Sequence, residues 1–306
     1  MNHLWDRLNK TDHNSKVDID LHIHSKNSDG METTDELMQR FKEYSILSFT
    51  DHDSVQCYYD LAFRHEERGT TDFILIPGVE LSFAFHGQLR DMLGYGIDIG
   101  IINDYLRKRY TPSEKLKKQQ RCLEITKEVF RKKGLIFDED LEIVYGNKSE
   151  AYVVMYHSLI RHPENLEKYG FIRDNGYFYR HYYSNSESDF FVDETYDIPA
   201  MDEVVKLIHS ANGLAFLAHP CAYSNIPSEW MQYIGDAIDN GINGIEVYHY
   251  SANESATSYL QQTAIDNDLY ISGGSDFHET SRESGFGKTR VPWDDIKKWI
   301  PRVTLV

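Results

Sequence analysis

The chain has 306 residues, room for one large domain or two ordinary ones, and its 41% apolar, 13% aromatic and 26% charged residues exclude disorder over most of the length. Lys and Arg total 32 against 49 Asp and Glu, a net charge of −17 whose field repels nucleic-acid backbones and anionic membranes, so a protein held on a duplex by surface charge is excluded. Cys57, Cys122 and Cys221 form no CxxC pair and the N-terminus has no apolar h-region, which together point to a soluble, cytoplasmic protein without disulfides, thiolate zinc or a membrane partner.

From Val17, the run VDIDLHIH alternates Val17, Ile19, Leu21 and Ile23 with Asp18, Asp20, His22 and His24, the period of a strand carrying polar groups on one face. A Thr33–Glu36 capping box opens a helix expected to reach about Tyr44, and ILSFTDH, ending at His52, reads as a second strand. A helix from about Ser54 to Arg68, stopped by Gly69, leads to FILIPGVE, a third strand from Phe73 to Glu80. This alternation is the grammar of a parallel α/β architecture. It returns after residue 200: a helix Met201–Asn212 ended by Gly213, the strand LAFLAHP, a helix over about 228–240, the strand GIEVYH, a helix and the strand LYISGGSDFH.

Between these runs, Thr111-Pro112-Ser113-Glu114 combines an N-cap, Pro at the first helical position and Glu at the third, starting a basic helix that stops at Gly134. The expected organisation is therefore a first α/β part over 1–103, a mostly helical insertion over 104–200 with a Tyr-rich stretch from Tyr177 to Tyr196, and a second α/β part over 201–306.

The expected strands end in metal-type ligands: His22 and His24, His52, Glu80, His219, and Asp276 with His278. In a closed parallel barrel the C-terminal ends of all strands meet on one face, so ligands distant in sequence become neighbours. Any one of these histidines alone would more often be a hydrogen-bonded core group. Together they point to a polynuclear site, because so many buried charges need partners or metals. Asp29, in the SKNSDG loop, fits either a ligand or an Asx turn before Gly30, and His249, after GIEVY, either a substrate contact or a surface group. His3, His13, His65, His162 and His209 read as ordinary exposed positions, and Cys221 as a small packing residue.

DLHIHSKNSDG, FTDHDSV, PGVELS, LAHP, GIEVY and GGSDFH, in this order, resemble the motifs of the polymerase and histidinol phosphatase (PHP) superfamily over about 17–102 and 200–280. The resemblance implies a distorted (βα)7 barrel with two or three divalent ions (manganese, zinc or iron) that hydrolyses phosphate esters. It implies one ion held by His22, His24, Glu80 and Asp276, a second by Asp29, His52 and His278, and a third by Glu80 and His219, with a metal-bridging hydroxide held by Glu80 and Asp276 as the nucleophile. Such ions lower the pKa of the attacking water and neutralise the phosphoryl oxygens, and three of them would bring the net charge to about −11.

The helical insertion resembles the small-nucleotide phosphatase branch, implying a small phosphorylated substrate, a nucleoside mono- or bisphosphate, with phosphodiesterase or exonuclease action on short oligonucleotides, or a histidinol-phosphate-type phosphatase, as the alternative. Two positions depart from that branch. Asp91, in RDMLGYGID, stands where a His is usual and would complete the third site as a hard carboxylate, and Val153-Val154-Met155 replaces a phosphate-holding Arg-Pro-His triplet. Arg121, Lys288 and Arg290 are the remaining candidates for contact with a phosphate.

Overall fold

The computed structural model describes residues 18–62, 73–143, 150–195, 197–223, 227–279, 286, 288–303 and 305. The expected helical turns at 63–68, His3, His13, His65 and Tyr196 lie outside them. Ile19 and Leu21 are buried on one face of the first strand and Asp20, His22 and His24 on the other, so the alternation places two unlike environments on the two sides of a single strand.

Three short strands, β1 (Ile19–Asp20), β2 (Ile46–Leu47) and β3 (Ile74–Leu75), pair in parallel, with Ile19 opposite Ile46 and Ile46 opposite Ile74. The capping box forms: Thr33 Oγ1 accepts from the Glu36 N–H (3.3 Å) and the Glu36 carboxylate from the Thr33 N–H (2.8 Å). The helix it opens, Thr34–Arg40, ends earlier than the sequence pattern suggests.

The third expected strand is two. Pro77 has no N–H to give a ladder, and the chain passes from β3 into a second sheet as β4 (Gly78–Phe85). A two-residue turn, His86-Gly87, both at positive φ (50° and 74°), leads into β5 (Gln88–Tyr95), an element the sequence reading lacked. The five-stranded sheet continues with β6 (Leu214–Leu217), antiparallel to β5 with Met92 opposite Leu217, then β7 (Gly244–Tyr248) and β8 (Tyr270–Gly273), each parallel to its predecessor. Isolated parallel bridges join the sheets, Ile23 with Phe277 beyond β1 and β8 and His52 with Glu80 beyond β2 and on β4. Beneath the ligand-bearing ends lies an apolar core of Leu21, Ile46, Ile76, Leu93, Phe216 and Trp299, where Tyr95 Oη donates to the Leu21 carbonyl (3.0 Å) and Trp299 Nε1 to the Ile271 carbonyl (2.9 Å).

The chain divides into two compact units, the first comprising 1–83, 90–106 and 199–306 and the second 84–89 and 107–198. The strand-end residues of interest all belong to the first. In the second, the helix Pro112–Lys132 starts as its cap predicts, Thr111 Oγ1 accepting from the Glu114 N–H (3.1 Å), and Gly134 follows its end at φ 65°. The Tyr-rich stretch forms a helical turn, Asn175–Phe178, that widens into a π-helical turn over Tyr179–Tyr183, packed by aromatic contact (Phe171 on Tyr182 at 3.8 Å) around Phe130, Phe178 and Phe190. His162, expected on the surface, is half-buried there with Nε2 3.3 Å from Asp138. Among the described residues no helix is long and apolar enough to cross a membrane.

Candidate metal centre

Glu80 is the hub. Its carboxylate is fully buried on β4, and four imidazole nitrogens from three segments close on it: His219 Nε2 at 2.9 Å, His22 Nε2 at 3.1 Å, His24 Nε2 at 3.2 Å and His52 Nδ1 at 3.4 Å. His22 and His24 point the same way because they are two apart in extended chain. A second carboxylate, Asp276, approaches His24 Nε2 (3.2 Å), His22 Nε2 (3.5 Å), His278 Nδ1 (3.5 Å) and His249 Nε2 (3.4 Å). Asp29 meets His278 Nε2 at 3.1 Å and stands 3.7 Å from His24 Nδ1.

Four overlapping sets emerge whose donor atoms lie within 4.8 Å of one another: His24, Asp29, His52 and His278; His22, His24 and Asp276; His22, Glu80 and His219; and His52, Glu80 and Asp91. Asp91 therefore falls with His52, its Oδ1 3.9 Å from Nδ1, while His219 takes the other oxygen of Glu80. Ser82 Oγ and Tyr223 Oη both donate to Asp91, at 2.9 and 2.7 Å. Lys288 and Arg290 are exposed and outside these sets, and Arg121 is exposed on the Pro112–Lys132 helix of the second unit.

The supporting residues were the ones sequence reasoning missed. Asp51, buried beside His52, accepts from the Ser25 N–H (2.6 Å), Ser25 Oγ (2.7 Å) and Ser28 Oγ (2.7 Å), fixing the loop that carries Asp29. Asp20 accepts from the Ser275 N–H (2.8 Å), and burial raises its carboxyl to about 6. Glu246, buried in the middle of β7, accepts from His22 Nδ1 (3.0 Å). The available signal was an ionisable residue inside an otherwise apolar strand. Backbone strain marks the same places: His219 and Asp276 sit at φ 22° and 50°, a region non-glycine residues rarely occupy outside functional sites. Gly274 makes room for β1, since a Cβ there would come within 2.4 Å of the His22 backbone nitrogen.

Without ions the charges answer one another. Burial opposes charge on His22, but Glu246, Glu80 and Asp276 outweigh it and raise its pKa well above the ordinary value; burial likewise opposes charge on His219, which Glu80 brings up to about 9. Burial would raise Glu80 and Asp276, and the surrounding imidazoles hold both well below the usual range. Asp29 is lowered to about 2, its partial burial outweighed by His278. Protons do not satisfy the whole centre, however. Among the described residues, both ring nitrogens of His24 and Nδ1 of His219 are buried without a hydrogen-bond partner, although His24 Nε2 has two carboxylates at 3.2 Å. Imidazoles and carboxylates converging with orphaned nitrogens are a donor set suited to divalent cations of the manganese, iron or zinc kind.

No family model matches the chain. Over most of its length it is similar to curated phosphoesterases: a 5′-3′ exoribonuclease of Haemophilus influenzae, 29% identical over 268 residues (85% of this chain, 89% of the relative), and a 3′,5′-nucleoside bisphosphate phosphatase of Chromobacterium violaceum, 26% identical over 299 residues (94% and 99%). These similarities are consistent with the polymerase and histidinol phosphatase (PHP) superfamily whose motifs the sequence resembles. The chain's fold is shared with a protein from Bifidobacterium adolescentis described as a metal-dependent phosphoesterase, at TM-score 0.62 and 19% identity, covering 95% of this chain and 98% of that one. The converging carboxylates and imidazoles form a cluster able to bind metal, in keeping with the metal-dependent phosphoesterases that the chain resembles.

Proposed function

We propose that this PHP phosphoesterase hydrolyses phosphate esters at the 5′ end of short RNA or of nucleotides, at a centre held by His22, His24, Asp29, His52, Glu80, Asp91, His219, Asp276 and His278. The observation that carries the reading is the closure of four imidazoles from three segments on the single buried carboxylate of Glu80, next to a second carboxylate, Asp276. The bridges Ile23–Phe277 and His52–Glu80, which link the three-stranded sheet to the five-stranded one, support the distorted (βα)7 barrel as its frame, with β5 reversed.

Bound divalent ions would supply a nucleophilic water of lowered pKa and neutralise charge on the phosphoryl oxygens. The chain's own groups do the rest. Glu80 presents one oxygen towards His219 and the other towards His22, His24 and His52, so it can serve two neighbouring ions. Asp276 lies between that cluster and His249, whose Nδ1 meets Ser251 Oγ at 2.7 Å and whose Nε2 faces Asp276, a position from which it can hold a proton for a leaving oxygen.

The greater identity to the exoribonuclease favours RNA ends over free nucleotides, and the near-complete alignment with the bisphosphate phosphatase keeps monoester hydrolysis as the second reading. The surface charge of −17 is compatible with both, since what it opposes is duplex binding over a broad surface. The deciding experiment compares manganese-loaded protein on a 5′-phosphorylated oligoribonucleotide and on a 3′,5′-nucleoside bisphosphate, following mononucleotide and phosphate release, with His22→Ala and Asp276→Ala as controls. Turnover of either substrate that falls at least about a thousandfold in both variants supports the reading, a loss of about 4 kcal/mol in transition-state stabilisation. Undiminished turnover in either variant overturns it.

A further inference from the structure

We infer that Glu246 is the positioning residue of the centre: it holds the proton of His22 at Nδ1 and so commits Nε2 to the metal, while the same carboxylate anchors the strained turn at His219. This rests on the metal-binding reading above. Glu246 is fully buried on β7 and, among the described residues, has no Lys or Arg partner; its two oxygens are divided between two donors that follow two other strands, β1 and β6. Oε1 accepts from His22 Nδ1 at 3.0 Å, and Oε2 accepts from the backbone N–H of His219 at 2.8 Å.

The division of labour has a chemical consequence. An imidazole that binds a cation through one nitrogen needs its proton on the other, and a carboxylate facing that other nitrogen fixes tautomer and ring orientation and raises the basicity of the free lone pair. With Nδ1–H spent on Glu246, the free Nε2 of His22 faces Glu80 at 3.1 Å and Asp276 at 3.5 Å, the side where the other donors converge. The second oxygen acts on His219 through its backbone. That residue is held at φ 22° and ψ 57°, and the bond from its N–H compensates a conformation that non-glycine residues rarely adopt. Its Nε2 is thereby delivered to the other oxygen of Glu80 at 2.9 Å. One carboxylate thus sets two imidazoles, from β1 and from the end of β6, at the same hub.

Glutamine is the discriminating replacement because it matches glutamate in size and offers only one accepting oxygen. In Glu246→Gln the amide nitrogen must face either the His219 N–H, donor against donor, or His22 Nδ1, which then has to accept and carry its proton on Nε2. Zinc affinity of the chelator-stripped protein, measured by competition with a chromophoric chelator, is expected to fall about 10- to 100-fold, the usual effect of losing such a partner. The melting temperature in excess chelator reports separately whether the variant folds. In zinc-loaded wild-type protein labelled with nitrogen-15, the His22 ring is expected to carry its proton on Nδ1, a measurement that needs no variant. A His22 proton on Nε2, or a folded Glu246→Gln variant with wild-type zinc affinity, overturns the inference and leaves the metal centre standing. A wild-type chain that takes up no zinc or manganese overturns the metal-binding reading itself, and this inference with it.

Discussion

Stripped of metal, the chain should lose stability as the pH rises, and bound metal should remove that loss. In the ion-free centre His22, His24, His219 and His278 all have raised pKa values, each charged against its own burial by the carboxylates around it. A group whose folded pKa lies above its unfolded value contributes fully below the unfolded value and loses that contribution as the pH climbs through the folded one. For His219 the window runs from 6.5 to about 9 and is worth about 3 kcal/mol. For a domain of this size that corresponds to roughly 6–12 °C in melting temperature. Glu80, Asp276 and Asp29 are lowered, so their contribution is present above the ordinary carboxylate range and is lost only as the pH falls through their folded values, leaving the alkaline limb to the imidazoles. Metal binding requires deprotonated ligands and strengthens with pH, so the gap between loaded and stripped protein should widen from pH 6.5 to 9.5. Thermal melts in chelator and in excess manganese at the two pH values measure this, and His219→Gln separates the centre from general repulsion in a chain of net charge −17. Stripped protein as stable at pH 9.5 as at 6.5, or a His219→Gln variant that keeps the whole alkaline loss, would refute the reasoning.

Asp91→His should shift the metal preference from manganese towards zinc with activity retained, and Asp91→Ala should lower the number of ions bound, both read by elemental analysis after dialysis against mixed metals; unchanged stoichiometry in Asp91→Ala would assign Asp91 to its bonds with Ser82 and Tyr223 alone. Gly274→Ala should destabilise the chain by about 1–3 kcal/mol and weaken metal binding together, because its Cβ would press on the backbone of His22, and a variant that melts and binds like wild type would contradict that close approach.

The sequence made the strand-end ligands legible because period-two alternation survives even in strands as short as β1, where Asp20, His22 and His24 all stand opposite apolar neighbours. The Thr33 and Thr111 caps were legible for a related reason: their chemistry is complete within four residues. What escaped depends on distant partners or on backbone sign. Pro77 splits one apolar run between two sheets, and the His86-Gly87 turn lacks the Asn-Gly or Asp-Gly signature that announces a hairpin, so β5 went unseen, and with it the strand setting of Asp91. Glu246 looked like a strand residue among apolar ones, and its meaning comes from His22, 224 positions away. Tyr223, which hydrogen-bonds Asp91, is 132 positions from it.

The bridge between Ile23 and Phe277, reinforced by Asp20 and Ser275 at a separation of 255 residues, dictates when the centre can exist. Joining segments so far apart carries the full entropy of closing the intervening chain, so these contacts belong to the slow, late part of folding. During synthesis, His22, His24, His52 and Glu80 leave the ribosome long before Asp276 and His278, and an early chain holds imidazoles and carboxylates without the Asp276 and His278 that join them in two of the candidate sets. If the proposed centre binds metal, tight loading is thereby reserved for a molecule whose β1 and β8 ends have already met, and uptake of the ion would report that they have.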